Sequence, residues 1–172
     1  MSKLKSHIFE SPVGWIGLAG TEGGLRRLCL KPTLSEVIED LGKDFSQATA
    51  DPQAFTGEQD CLSRFFDGDT RALDRIVLDL TNCPPFFGAA WQACRRIPPG
   101  ETRSYAWLAA AAGRPRAVRA AGQAMARNPW ALIIPCHRVI GSDGGLHGYG
   151  AGGLKVKARL LEMERAGLVS GV

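Results

Sequence analysis

Over the first 80 residues the apolar positions come in short runs separated by polar or glycine-rich breaks. Trp15-Ile16-Gly17-Leu18-Ala19 and Leu25-Arg26-Arg27-Leu28-Cys29-Leu30 have strand character, and Gly20 to Gly24 between them predicts a hairpin connection. Leu34 to Leu41 has helical spacing behind Thr33, a residue suited to capping. A second helix is expected from about Gly57 to Phe66 with Phe65 and Phe66 inward, and Arg75 to Leu80 reads as a further strand.

At Thr81-Asn82-Cys83-Pro84-Pro85 the character changes, which predicts a first α/β domain over 1–80, a linker over 81–86 and a mostly helical second domain over 87–172. Phe86 to Arg96 carries apolar residues at helical spacing and stops at Pro98-Pro99-Gly100. Tyr105 to Ala112 follows Ser104 as cap, Gly113-Arg114-Pro115 turns the chain, and Arg116 to Arg127 forms another helix. Two short helices across a three- or four-residue turn with glycine make a helix-turn-helix pattern. The second of them is slim, with Ala117, Ala120, Ala121, Gly122 and Ala124 beside Arg116, Arg119 and Arg127. Spacing alone fits two uses equally: tight packing on a neighbour, or close approach to a nucleic-acid backbone. Leu132-Ile133-Ile134 reads as a short buried strand, and Leu154 to Glu164 as a last helix with Leu160, Leu161 and Glu164 near one face.

Charge sharpens this division. Residues 1–84 hold nine Lys/Arg against 13 Asp/Glu, whereas residues 85–172 hold 12 against four, so one half is near −4 and the other near +8. A basic helical half suits a polyanion, because each cation near a phosphate releases condensed counterions. The five cysteines, at 29, 61, 83, 94 and 136, are odd in number and lack zinc-finger spacing. Free thiols in a cytoplasmic protein are the expectation, with no signal peptide, no membrane span and no metal.

Pro135-Cys136-His137-Arg138 sets a thiol beside an imidazole directly after the apolar run. A thiolate is the reactive form of cysteine, and a neighbouring base or cation makes it available near neutral pH. On these residues alone a cysteine hydrolase, a metal site and an inert core cysteine all remain open.

The set Ile97-Pro98-Pro99-Gly100-Glu101-Thr102-Arg103-Ser104-Tyr105, Arg116 to Gly122, Asn128-Pro129, Pro135 to Ile140 and Gly148-Tyr149 resembles the O6-alkylguanine-DNA alkyltransferase family, in order over about residues 85–166. The first half is similar more loosely, through Ser11-Pro12-Val13-Gly14 and the hairpin that follows. The resemblance implies a ribonuclease H-like first domain and a winged-helix-like second one. It also implies irreversible transfer of an alkyl group from O6-alkylguanine, and less well O4-alkylthymine, in double-stranded DNA to Cys136, after the base is flipped out. It assigns His137 as the base acting through a water, Glu164 as the group orienting it, and Asn128 as a brace for the backbone. Tyr105 would press on the 3′ phosphate and Arg119 fill the gap in the duplex, with Arg116, Ala117, Gly122, Arg127 and Ser142 also at the DNA, approached through the minor groove by a monomer. Met125, Val139, Ile140, Tyr149 and Gly150 would line the guanine pocket together with the glycine-rich loop from Gly144 to Tyr149, with Ser142 donating to O6. No cofactor is implied.

Three positions depart from the family pattern. Phe86-Phe87 stands where a Phe-Gln pair is usual, the loop from Tyr149 to Leu154 is one residue longer, and the first domain has no zinc set. By periodicity alone, Glu164 is a solvated helix-end charge, Asn128-Pro129 a helix stop and His147 an exposed loop residue. The rival reading is an alkyltransferase-like lesion-binding protein that does not react, but such proteins lack the cysteine and are shorter.

Overall fold

The computed structural model describes residues 2–149 and 151–170. Three strands, β1 (Lys5–Ser11), β2 (Gly14–Thr21) and β3 (Gly24–Lys31), form an antiparallel meander, and the two-residue β4 (Thr49–Ala50) pairs parallel to β1. β1 escapes the sequence reading because its Lys-Ser-His-Ile-Phe-Glu-Ser composition is too polar to stand out. Helix α1 (Leu34–Gln47) begins where expected, with Glu36 N–H donating to Thr33 Oγ1 and Thr33 Oγ1 donating to the Glu36 carboxylate, and runs on past a kink at Gly42. Val37 and Leu41 of α1 pack with Ala19 and Cys29 on one face of the sheet. Helix α2 (Thr56–Phe66) buries Leu62 and Phe65 in the main core.

The second half is helical: α3 (Pro85–Arg95), α4 (Tyr105–Ala111), α5 (Val118–Ala126) and α6 (Gly153–Ser170). Ser104 caps α4 by accepting from Trp107 N–H. β5 (Arg103–Ser104), directly ahead of α4, and β6 (Val139–Ile140), between α5 and α6 in the chain, form a short parallel pair. The main buried cluster is continuous from Val13 to Leu160, so both halves share it.

Three expectations are corrected. The segment 75–80 is no strand: its pairing with the sheet is confined to a single bridge, Leu25 with Leu78, between Leu25 N–H and Val77 O and between Asp79 N–H and Leu25 O. The edge of β3 is shared, because farther along Leu28 N–H donates to Pro129 O and Ala131 N–H to Leu28 O. Two segments of one partner row each make a bridge, and neither has room to become a strand. The turn between α4 and α5 spans six residues, so Arg116 and Ala117 lie ahead of α5 rather than on it. Ala117 has φ −88 and ψ 45, which is not helical.

The third correction bears on chemistry. Leu132-Ile133-Ile134 is a buried turn, not a strand. Ile133 N–H reaches back to Ala131 O across Leu132, whose φ is +71, and Cys136 N–H reaches Ile134 O across Pro135. Three-residue turns of this kind reverse the chain within a few ångströms, and a leucine in the left-handed region is strained unless its surroundings hold it.

Candidate alkyl-transfer site

Asn128 supplies that hold. Its Nδ2 donates to Ile134 O at 2.9 Å and to Trp130 O at 3.4 Å, while its Oδ1 accepts from Trp130 N–H at 2.9 Å. The same Nδ2 lies 3.3 Å from Cys136 Sγ, so one amide fixes the turn and touches the sulfur. Trp130 anchors the turn to the sheet, its Nε1 donating to Leu25 O at 2.8 Å and its ring meeting Trp91 edge-on. A groove of about 800 Å³ reaches Cys136 from this side, past Met125, Asn128, Ala131 and Ala151.

Cys136 opens a single 3-10 turn, Cys136–Arg138, whose three side chains are all buried. His137 Nε2 is hydrogen-bonded to Glu164 Oε1 on α6, and His137 is wholly buried. Glu164 also accepts from Arg138 Nε at 2.9 Å, Arg138 Nη2 at 3.0 Å and Gly100 N–H at 3.3 Å. Arg138 Nη1 donates to Ile97 O at 2.6 Å, tying the turn to the end of α3. Glu164 is therefore no solvated helix end.

The charges follow from these contacts. Burial alone would raise the Glu164 carboxyl, but the hydrogen bonds from His137 and Arg138 and the positive charge of Arg138 outweigh burial and bring it to about 2. A carboxylate that stays ionised accepts the Nε2 proton, which leaves Nδ1 as the basic nitrogen. Burial lowers the imidazole below its ordinary pKa despite Glu164, so the ring is neutral and able to accept. Nδ1 is buried without a hydrogen-bond partner among the described residues. Burial raises the Cys136 thiol, partly countered by the Asn128 hydrogen bond and the positive charge of Lys157. The resting sulfur is thus a thiol that needs a base.

Lys157 is the residue that the sequence reading passed over. It is 1% exposed on α6, and its Nζ donates to Val139 O at 2.7 Å, Leu146 O at 2.6 Å and Gly148 O at 3.2 Å. It pins the glycine-rich loop from inside. Its spacing with Leu160, Leu161 and Glu164 along one helix face was the available signal.

Of the remaining expected residues, Tyr105 is half-buried at the start of α4, whereas Arg119 is exposed on α5, Arg116 exposed in the turn and Arg127 exposed at the α5 C-cap. Ala117 and Gly122 are partly exposed, and Ser142 is exposed on the loop after β6. Met125, Val139 and Tyr149 are buried and Ile140 partly so; Gly150 lies outside the described residues. Val139, Ile140 and Tyr149 do not line the groove that reaches Cys136, which Met125 does. The Tyr149 ring stands edge-on to His137, its hydroxyl buried and unpartnered among the described residues. Phe87, in place of the usual glutamine, contacts Trp91 and carries Arg127 over its ring at 5.9 Å. A cation–π contact replaces a polar one.

A buried thiol, an imidazole with a free basic nitrogen and an ionised carboxylate, set beside a short helix, α5, with exposed arginines on it and at both its ends, define a protein that presents one nucleophile to a large anionic substrate. The family model for the 6-O-methylguanine DNA methyltransferase DNA-binding domain matches residues 85–166. The methylated-DNA–protein-cysteine methyltransferase of Mycobacterium bovis is 42% identical over 91% of this chain and 90% of its own length. Its namesake from Methanosarcina barkeri is 41% identical over 94% and 97%. The Mycobacterium tuberculosis protein solved in complex with DNA superposes with a TM-score of 0.78 at 38% identity, over 95% of this chain and 94% of that one. The chain belongs to the methylated-DNA–protein-cysteine methyltransferase family.

Proposed function

We propose that this protein repairs alkylated DNA by direct reversal, taking the alkyl group of O6-alkylguanine onto Cys136 in one irreversible turnover. The observation that carries this is the pairing of a buried thiol, contacted by Asn128, with an imidazole whose Nε2 is committed to Glu164 and whose Nδ1 is free. The thiol proton passes to Nδ1 through a bridging water. Glu164, itself oriented by Arg138, holds the imidazolium in place, and the thiolate attacks the alkyl carbon in line. The S–C bond forms as the O6–C bond breaks, and the proton returns to the guanine, which leaves with its normal carbonyl.

A sulfur this deep is out of reach of a stacked base, so the base must be flipped, at a cost of about a few kcal/mol. Tyr105 presses on the 3′ phosphate, and Arg119, exposed near the start of α5, fills the space left behind. Arg116, Ala117, Gly122, Arg127 and Ser142 contact DNA along the minor groove. Met125, Val139, Ile140 and Tyr149 surround the flipped base.

In the same reading α4 and α5 are a winged-helix-like helix-turn-helix with β5 and β6 beside it. The first domain is ribonuclease H-like, supported by the β3-β2-β1-β4 order with β4 parallel to β1. The domains divide at the linker 81–86, and the protein is a cytoplasmic monomer.

The test is an intact mass after incubation with duplex DNA containing O6-methylguanine. One methyl group on the Cys136 peptide, absent in Cys136→Ala, is the expected result. Tight binding to such DNA with no mass gain would instead make the protein a non-reacting lesion binder.

A further inference from the structure

His147 takes no part in the chemistry above, yet its surroundings are built. The loop from Gly141 to Gly148 closes on itself through Gly141 N–H to Gly145 O and Gly144 N–H to Gly141 O. Asp143 Oδ1 accepts from Gly145 N–H at 2.9 Å and lies 3.1 Å from His147 Nε2. The imidazole covers Gly141 so closely that a Cβ there would fall 2.1 Å from Nε2. His147 also has φ +54, a left-handed conformation that a side chain other than glycine adopts at a penalty unless its contacts hold it.

The imidazole reaches the DNA-facing side of the site as well. It stands edge-on to Tyr105 with ring centroids 6.5 Å apart. Lys157 Nζ lies 6.0 Å from the same tyrosine ring while holding the loop carbonyls of Leu146 and Gly148 from beneath. The loop is gripped from inside by Lys157 and from outside by the Asp143–His147 pair. Both grips meet Tyr105.

The geometry points to His147, clamped by Asp143, as the outer latch of the guanine-pocket loop, a positioning residue that couples this loop to Tyr105 at the start of α4. This rests on the alkyl-transfer reading. A latch sets how well the pocket is formed before the base arrives, so it governs capture of the base and leaves the sulfur's reactivity alone.

The test measures transfer from free O6-benzylguanine, which touches no phosphate, as a function of its concentration. His147→Gly keeps the backbone comfortable and removes the ring, and Gly141→Ala displaces the ring. Each is expected to raise the half-saturating concentration about fivefold, the scale of one lost hydrogen bond, with the limiting rate unchanged. His147→Asn tolerates the left-handed backbone and retains a donor for Asp143, so it restores most of the loss. The losses from Tyr105→Ala and His147→Gly combine to less than their product, because one contact serves both. Unchanged half-saturation in His147→Gly, with normal methyl transfer to Cys136, overturns the latch alone. Absence of any mass gain on the wild-type protein overturns the alkyl-transfer reading and the latch with it.

Discussion

Glu164 accepts four hydrogen bonds, from His137, twice from Arg138 and from Gly100, and every one of them is charge-assisted by its own carboxylate. Glu164→Gln keeps the shape and removes the charge, which leaves the Arg138 guanidinium buried without a counter-ion. A loss of about 3–5 kcal/mol in unfolding free energy is expected, as for other broken buried pairs, measured by urea denaturation at neutral pH. The pH dependence has a definite sign. Because folding lowers the Glu164 carboxyl from its ordinary 4.5 to about 2, its stabilisation is complete above 4.5 and disappears as the pH falls through 2. The variant lacks that acid limb. Its Cys136 also ionises at higher pH, so the alkylation rate against pH moves in the alkaline direction; an unshifted profile removes Glu164 from the relay. Cys136 and His137 were legible as neighbours in the sequence, where adjacency itself is the signal. Glu164 was not legible from periodicity, since a helix face records burial but not what lies opposite, and only the resemblance pointed to it.

At the scale of elements, α5 carries the proposed DNA contact and the sheet edge carries the surprise. Arg119 is exposed near the start of α5, away from Cys136 in the chain, and its backbone lies on a helix packed on α3 through Ala124 O and Trp91 Nε1. Arg119→Ala is therefore expected to slow repair of O6-methylguanine in duplex DNA by about tenfold or more, the scale of a lost arginine contact during flipping, while reaction with free O6-benzylguanine stays within twofold. Equal losses on both substrates contradict the role. The helices were legible because caps and apolar spacing act locally: Thr33 and Ser104 mark starts that the structure keeps. The segments 75–80 and 132–134 were misread because both are apolar and short, and their form depends on a distant partner. β3 offers one edge to two claimants, and no local pattern reveals that competition.

Across the whole molecule the charge asymmetry overstates the surface available to DNA. Arg138 and Lys157 are buried and serve the site, and Arg103 is paired with Glu101 at 2.8 Å. What remains around α5 is Arg114, Arg116, Arg119 and Arg127, all exposed. Trp130 links this half to the other, bonding to Leu25 O and meeting Trp91. Trp130→Ala is expected to cost about 3–5 kcal/mol, as large-to-small changes in cores do. It is also expected to slow alkyl transfer, because Asn128 and the Cys136 turn lose their anchor; calorimetry and the methyl-transfer assay check the two halves of that statement. The bridge from Leu28 to Pro129 and Ala131 has a further consequence for anyone exchanging parts among related proteins. A hybrid joined at the linker inherits its nucleophile from one parent and the rail that the nucleophile's turn rests on from the other. Such hybrids should be chosen by matching residues 25–28 of one parent with 128–131 of the other, rather than by overall similarity.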